Sequence, residues 1–208
     1  MPVASALAEP PVEQELKALG PLIGDWPPAI KTAEQRSAVT KRYQRLKARL
    51  DADVAAHSDD LKPRLQRATL EHMGHNIDLG GSFEAAVGDY KYVIEHHNND
   101  VPAILGLARL YVNANPAYAD RAKNLYLAAQ CYYGKEPLEE AQRGLFFAYY
   151  YKGELPAAKE RAIYLTKRWP GNEGYRRLNS AVDAVLARSN GPANIAADPS
   201  LDTCKGNR

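Results

Sequence analysis

The chain has little cysteine and no long apolar run. Its two cysteines, Cys131 and Cys204, are too few for a disulfide framework and lack the spacing of a metal site, so we expect reduced thiols. No stretch of about 18 apolar residues occurs, which argues against a membrane-spanning helix. Residues 3–8 end like a signal-peptide cleavage site but lack a basic flank and a long apolar core. We therefore expect an intracellular protein, cytoplasmic or organellar; secretion or a periplasmic location is less favoured.

An excess of one charge sign is also missing. The chain carries 27 Lys and Arg against 25 Asp and Glu, a formal charge of +2. This balance argues against a polyanionic partner that covers the whole surface. Because 45% of the residues are hydrophobic and 25% are charged, near the averages of globular proteins, the chain is expected to fold.

The chain also lacks sustained apolar–polar alternation bounded by hairpin turns, and this absence predicts an all-α fold. Paired prolines at 10–11 and 27–28 predict that residues 1–28 are extended or partly disordered, with one short helix. Residues 29–66 are predicted to form amphipathic helices, because apolar residues recur there at spacings of three and four: Val39, Tyr43, Leu46, Leu50 and Val54. We predict a capping helix at 173–188 and a flexible tail at 189–208.

Small residues recur through the centre of the chain. Ala86, Ala122 and Ala158 are separated by a constant 36 residues. This period predicts three helix-turn-helix units at 67–100, 101–138 and 139–172, in which small side chains let two helices approach closely. Gly81 and Gly153 follow apolar runs and are predicted to end the first helix of units one and three. The extra residues of unit two fall in turns, where added length is tolerated.

The pattern of these units resembles the tetratricopeptide repeat family. The residues that carry the resemblance are Gly74, Ile77, Gly81, Phe83, Ala86 and Tyr90 in unit one, Leu107, Ala108, Tyr111, Ala122, Tyr126 and Ala129 in unit two, and Leu145, Tyr149, Gly153, Ala158 and Pro170 in unit three. The resemblance implies a right-handed α-solenoid of antiparallel helix pairs with flanking helices.

In that family, side chains of the first helices line a concave face that binds peptides. By register, the resemblance implies a partner-binding set of His75, Asp78, Arg109, Asn113, Arg143, Phe147 and Tyr150. Glu71, Leu105, Val112 and Tyr151 are further candidates, with core packing an equal alternative for the last three. Some family members clamp a chaperone's C-terminal carboxylate with lysines and asparagines. Because His75 and Asp78 stand where the first lysine and asparagine would be, we expect no binding of this kind.

The leading hypothesis is a non-catalytic scaffold or adaptor, an accessory or assembly subunit of a larger complex. Its partners would be proteins, peptides or subunits that bind the repeat groove and the terminal segments. Peripheral association with a membrane complex stays open. We predict no cofactor, no metal and no catalytic residue, because the chain lacks a phosphate-binding glycine loop and a nucleophile elbow.

Two alternatives remain. A run of basic residues, Lys41, Arg42, Arg45, Lys47 and Arg49, could bind the phosphates of RNA or an anionic membrane surface, although a solvated helix face explains it more simply. The second alternative is an enzyme with a metal bound by His72, His75, His96 or His97. Their spacing fits zinc ligands poorly, so we interpret them as packing or surface histidines.

Overall fold

The structure, a computed structural model, describes residues 10–188. The tail predicted at 189–208 and the first nine residues lie outside this range. The described chain forms two compact units that divide after Val93. Every regular element within it is helical, as predicted from the missing alternation, and none of residues 67–172 forms a strand.

The helices follow one another with short turns. The first unit contains α1 (Val12–Ile23), α2 (Ala33–Ala56), α3 (Leu61–His75) and most of α4 (Ser82–His96). The second contains α5 (Val101–Ala114), α6 (Ala119–Tyr133), α7 (Glu139–Lys152), α8 (Leu155–Arg168) and α9 (Glu173–Arg188), with a short 3-10 helix, Pro116–Tyr118, before α6. No described helix combines the length and apolar character needed to cross a lipid bilayer.

Several helices begin at a polar side chain that accepts a first-turn N–H. Thr32 caps α2 by accepting from the Gln35 amide at 3.1 Å. Asp60 caps α3 through the Lys62 amide at 2.9 Å, and Asp100 caps α5 through the Ala103 amide at 2.8 Å. These amides have no intrahelical acceptor, so each cap stabilises its helix by about 1 kcal/mol.

The core of the first unit joins α1, α2 and α3. The predicted stripe of α2 is confirmed: Val39, Tyr43, Leu46, Leu50 and Val54 are all buried. The first four of these pack with residues of α1 and α3 and of the turn after α3: Val12, Leu19, Ile23, Leu70, Met73 and Ile77. The one short helix predicted within residues 1–28 is α1, which has 12 residues and whose apolar side chains are part of this core.

In the second unit each helix packs against the next from α5 to α9, and α5 also contacts α7. The helix α9 has the bounds predicted for the capping helix. Tyr175, Val182 and Leu186 of α9 pack against Phe146 of α7 and against buried α8 residues. Leu178 and Val185 of α9 are only half-buried.

The small residues lie where the repeat pattern requires. Ala86, Ala122 and Ala158 are each 0% exposed and lie in the first or second turn of α4, α6 and α8. Along the chain, α3 and α4, α5 and α6, and α7 and α8 follow one another with short turns, and α3 begins at Leu61, before residue 67. A bulky side chain at any of these alanines would force the neighbouring helix away.

One predicted helix end differs. Gly153 has φ +81° and ends α7 in a left-handed turn, as predicted. The helix α3 ends earlier, at His75, and Asp78 takes the left-handed conformation with φ +62°. Gly81, also with positive φ, instead precedes α4, because turn-forming residues fill the segment between them.

Cys131, near the end of α6, is disulfide-bonded. The expectation of a reduced thiol at this position is therefore wrong. The other cysteine, Cys204, lies outside the described residues.

Candidate functional site

The two predicted binding residues of the first unit lie at the end of α3. His75 is half-buried in its last turn and packs against Phe83 with ring centroids 5.3 Å apart. Asp78 lies beyond the helix, with its side chain 87% exposed and 4.0 Å from Arg36. The prediction that Asp78 lies on a helix face is wrong, because α3 stops three residues before it.

In the second unit, Arg109 and Asn113 lie on α5, one helical turn apart. Asn113 is exposed. The Arg109 side chain is 32% exposed and forms an ion pair with Glu140 of α7 at 3.6 Å. The neighbouring candidates Leu105 and Val112 are buried, at 8% and 4%, so both are core residues.

The remaining predicted residues lie together on α7 and form what we call the α7 face: Arg143, Phe147, Tyr150 and Tyr151. Arg143 is exposed, and Phe147 follows one turn later. Phe147 and Tyr151 stack with centroids 6.0 Å apart, and Tyr150 meets Tyr151 edge-on at 5.8 Å. Tyr151 is 43% exposed, whereas Phe147 and Tyr150 are partly buried against the core of α8 and α9. The α7 face thus combines an exposed guanidinium with an ordered aromatic surface.

The basic run on α2 is divided between ion pairs and solvent. Arg42 donates to Glu15 of α1 at 2.5 Å, and Lys47 contacts Asp51 at 2.7 Å and Glu71 at 3.2 Å. The Arg49 guanidinium donates to the Pro10 carbonyl at 2.7 Å. Lys41 and Arg45 are exposed. The five charges therefore do not form one uniform stripe.

A buried polar network in the first unit was not predicted from the sequence. Glu71 of α3 is 1% exposed; it accepts a hydrogen bond from the Tyr43 hydroxyl at 2.6 Å and pairs with Lys47. The Tyr43 hydroxyl also lies 3.1 Å from Ser82 Oγ of α4. The side chains that meet here come from three helices.

The network continues through charged groups. Arg67 of α3 holds Asp89 of α4 with two hydrogen bonds, of 2.7 and 2.8 Å, and reaches Asp51 of α2 at 3.1 Å. Arg64 adds a bond to Asp89 at 3.2 Å while stacking over the Tyr92 ring at 3.8 Å. Two-point arginine–carboxylate pairs of this kind fix orientation as well as distance.

Tyrosine, lysine, serine and glutamate side chains in contact could in principle support proton transfer. Burial, followed by the hydrogen bond to Glu71, raises the pKa of Tyr43 well above its ordinary value, so the phenol stays protonated at neutral pH. Tyr43 is also only 3% exposed. A protonated, enclosed phenol fits a structural role that joins α2, α3 and α4.

The second unit has a different polar core, built from amides. Gln142 of α7, 0% exposed, donates to Gln130 of α6 at 2.8 Å and accepts from the buried Arg161 of α8. Gln130 in turn donates to the carbonyls of Gly134 and Glu136 and accepts from the Leu138 amide, at 2.8–3.1 Å. These bonds hold the α6–α7 loop.

Two of the histidines considered for a metal site have other neighbours. His72 is buried edge-on against Tyr90, with ring centroids 6.5 Å apart, and His97 faces Asp100 at 3.5 Å. Within residues 10–188, no three His, Cys, Asp or Glu side chains are grouped closely enough to hold a metal ion.

Comparison of the chain with models of protein families, with curated proteins and with solved structures finds no match.

Proposed function

We propose that this chain is a non-catalytic module of tetratricopeptide-like helix pairs that binds a protein partner, as an adaptor or accessory subunit. The α7 face carries the proposal. Stacked Phe147 and Tyr151 present a rigid apolar surface next to the exposed Arg143. Aromatic and arginine side chains of this kind contribute most of the binding energy in protein interfaces, because little conformational entropy is lost when they are covered.

The neighbouring helix extends this surface. Because α5 packs against α7, the Arg109 guanidinium reaches Glu140, which lies about one turn before Arg143 on α7. Polar groups at the rim of an apolar centre are the usual arrangement of an interface. The buried alanines of the helix pairs support the solenoid arrangement that would repeat such a surface.

Site-specific photo-crosslinking tests the proposal. A benzoylphenylalanine replaces Tyr151 in one sample and Leu127 of α6 in the other, in an extract of the native source. Both positions are 43% exposed, so the two probes are equally accessible to other proteins in the extract. We expect a discrete crosslinked species from position 151, lost when Arg143 and Phe147 are changed to alanine. Equal crosslinking from both positions would contradict the proposal.

RNA binding by the basic run is the weaker alternative. Arg42 and Lys47 are already paired with carboxylates, which lowers the number of charges that can neutralise phosphates. Filter binding at rising salt tests it: loss of RNA binding when all five basic residues are neutralised would favour this function over the first.

A further inference from the structure

A cleft between α1 and α2 brings three arginines to one place. Arg42, Arg45 and Arg49 follow one another at spacings of three and four residues, so they share one face of α2. With Pro10, Glu15 and Leu46 they line a cleft of about 200 Å³. A water molecule occupies about 30 Å³ of liquid, so the cleft has room for a phosphate group and several waters. We call it the arginine cleft.

The contacts inside the cleft leave one guanidinium available. Arg42 is engaged by Glu15, whose side chain is 16% exposed, and Arg49 is held at the cleft by the Pro10 carbonyl. Arg45 is exposed and forms no ion pair with any of residues 10–188. The hydrogen bond from Arg42, with the charges of Arg45 and Arg49, lowers the pKa of Glu15. The arginines of the cleft therefore stabilise one anion, the Glu15 carboxylate.

We propose that the arginine cleft binds a phosphate monoester group, with Arg45 as its main ligand and Arg49 and Arg42 as neighbours. Guanidinium groups offer paired N–H donors that match phosphate oxygens. Leu46 and Pro10 form the apolar wall, which reduces the screening of these charges by water. Glu15 competes with the ligand for Arg42, so its charge sets the affinity. This site is separate from the protein-binding α7 face.

The test is a titration of the full chain with inorganic phosphate. Arginine Nε–Hε resonances are followed by NMR at constant ionic strength and about pH 7.5, where a phosphate monoester, with a second pKa of about 6, is dianionic. Wild type should shift its cleft arginines saturably. Arg45→Gln should weaken binding at least about tenfold, because it removes a charge-assisted hydrogen bond. Lys17→Gln is the control, since Lys17 is an exposed cation on α1 outside the cleft, and should leave affinity within about twofold.

A second variant tests the role of Glu15. Glu15→Gln should strengthen phosphate binding severalfold, because it frees Arg42 and removes a repelling charge. If Glu15 only fastens α1 to α2, the variant would lower the unfolding temperature without raising the affinity. That result would overturn the assigned competition, and an unshifted arginine set in wild type, or equal losses in Arg45→Gln and Lys17→Gln, would overturn the site.

Two further probes identify the source of the phosphate. Phosphatidylcholine vesicles that contain phosphatidic acid present the monoester at a lipid surface. Arg45-dependent binding to them, together with the phosphate shifts, indicates a lipid headgroup; phosphate shifts without vesicle binding indicate a soluble ligand. A single-stranded RNA that binds while inorganic phosphate does not, with equal losses in Arg45→Gln and Lys41→Gln, would replace the cleft with a diffuse nucleic-acid surface.

Discussion

The two units solve the same packing problem with different polar chemistry. In each, a glycine lets a helix approach the ring of a buried tyrosine: Gly74 of α3 meets Tyr43, and Gly144 of α7 meets Tyr126. Around Tyr43 the first unit places ionised groups, Glu71 and Lys47. The second unit gathers the amides of Gln130 and Gln142, with the buried Arg161 guanidinium bonded to Gln142, elsewhere on helices α6 to α8. Close helix contact therefore does not prescribe the polar groups that accompany it.

The largest effect is expected at Gly144. A Cβ there would overlap the phenol ring of Tyr126, which is 2% exposed and cannot move aside. Gly144→Ala should lower the free energy of unfolding by about 3 kcal/mol, measured by urea denaturation. Gly88→Ala is the matched control: a Cβ at Gly88 on α4 meets nothing within 4 Å, so the higher helix propensity of alanine should raise stability by about 0.5–1 kcal/mol.

Gly74→Ala tests the corresponding glycine–tyrosine contact in the first unit. Its Cβ would lie 2.7 Å from the Tyr43 hydroxyl and from Ser82 Oγ and 2.8 Å from a Tyr43 ring carbon, whereas at Gly144 the nearest ring carbon is 2.1 Å away. We expect a loss smaller than at Gly144. A larger loss would show that the ionised network of the first unit is the less adaptable of the two.

The next effect concerns the buried charge. Glu71→Gln keeps the shape of the side chain but removes the charge that Tyr43 and Lys47 contact, and should cost about 2 kcal/mol. Asp51→Asn removes the charge that Lys47 and Arg67 contact, but this side chain is 42% exposed, so we expect a loss below about 1 kcal/mol. Equal losses in urea denaturation would mean that burial does not distinguish the two carboxylates.

Alkaline pH should affect both units. Burial raises the pKa of Tyr43 and of Tyr126, with the Glu71 hydrogen bond adding to the shift at Tyr43. Because the folded pKa exceeds the unfolded value of about 10, the associated stability is complete below about pH 10 and is lost at higher pH. Urea unfolding between about pH 9 and about pH 11 should show this decline. Tyr43→Phe should make it shallower, whereas Tyr133→Phe, at a side chain 56% exposed, should not.

The smallest effects are expected at the left-handed turns. Asp78→Gly should stabilise the first unit by about 0.5–1 kcal/mol, because glycine adopts positive φ without strain and the 4.0 Å contact with Arg36 is exposed. Gly153→Ala at the corresponding turn of the second unit should destabilise it by about 1 kcal/mol. Thermal unfolding measures both. Matching signs would contradict the assignment of strain to these turns.

The helical fold could be predicted because its signals are local. The spacing of Val39 to Val54 and the recurrence of Ala86, Ala122 and Ala158 depend only on helix periodicity, and these residues are buried. The sequence predicts a later end for α3 than His75, because the apolar pattern continues to Ile77. Ile77 is buried although it lies outside the helix.

The buried network could not be predicted for a different reason. Residues 70–74 of α3 are all buried, since the helix is covered on more than one side. A search for a single apolar stripe assigns Glu71 to solvent, and its bond to Tyr43 joins residues 28 apart in sequence. The run of basic residues can be read from the sequence. Glu15, which pairs with Arg42 of this run, lies on another helix, so the pair cannot be predicted from local spacing.

The amide of Gln130 has a practical consequence for protein engineering. This one side chain bonds two carbonyls and one amide of the α6–α7 loop, and these bonds fix the conformation of the loop. Lengthening it should misdirect α7, and an affinity tag or fluorophore inserted there would disturb the fold. The exposed turn at residues 57–60, between α2 and α3, is the better insertion point.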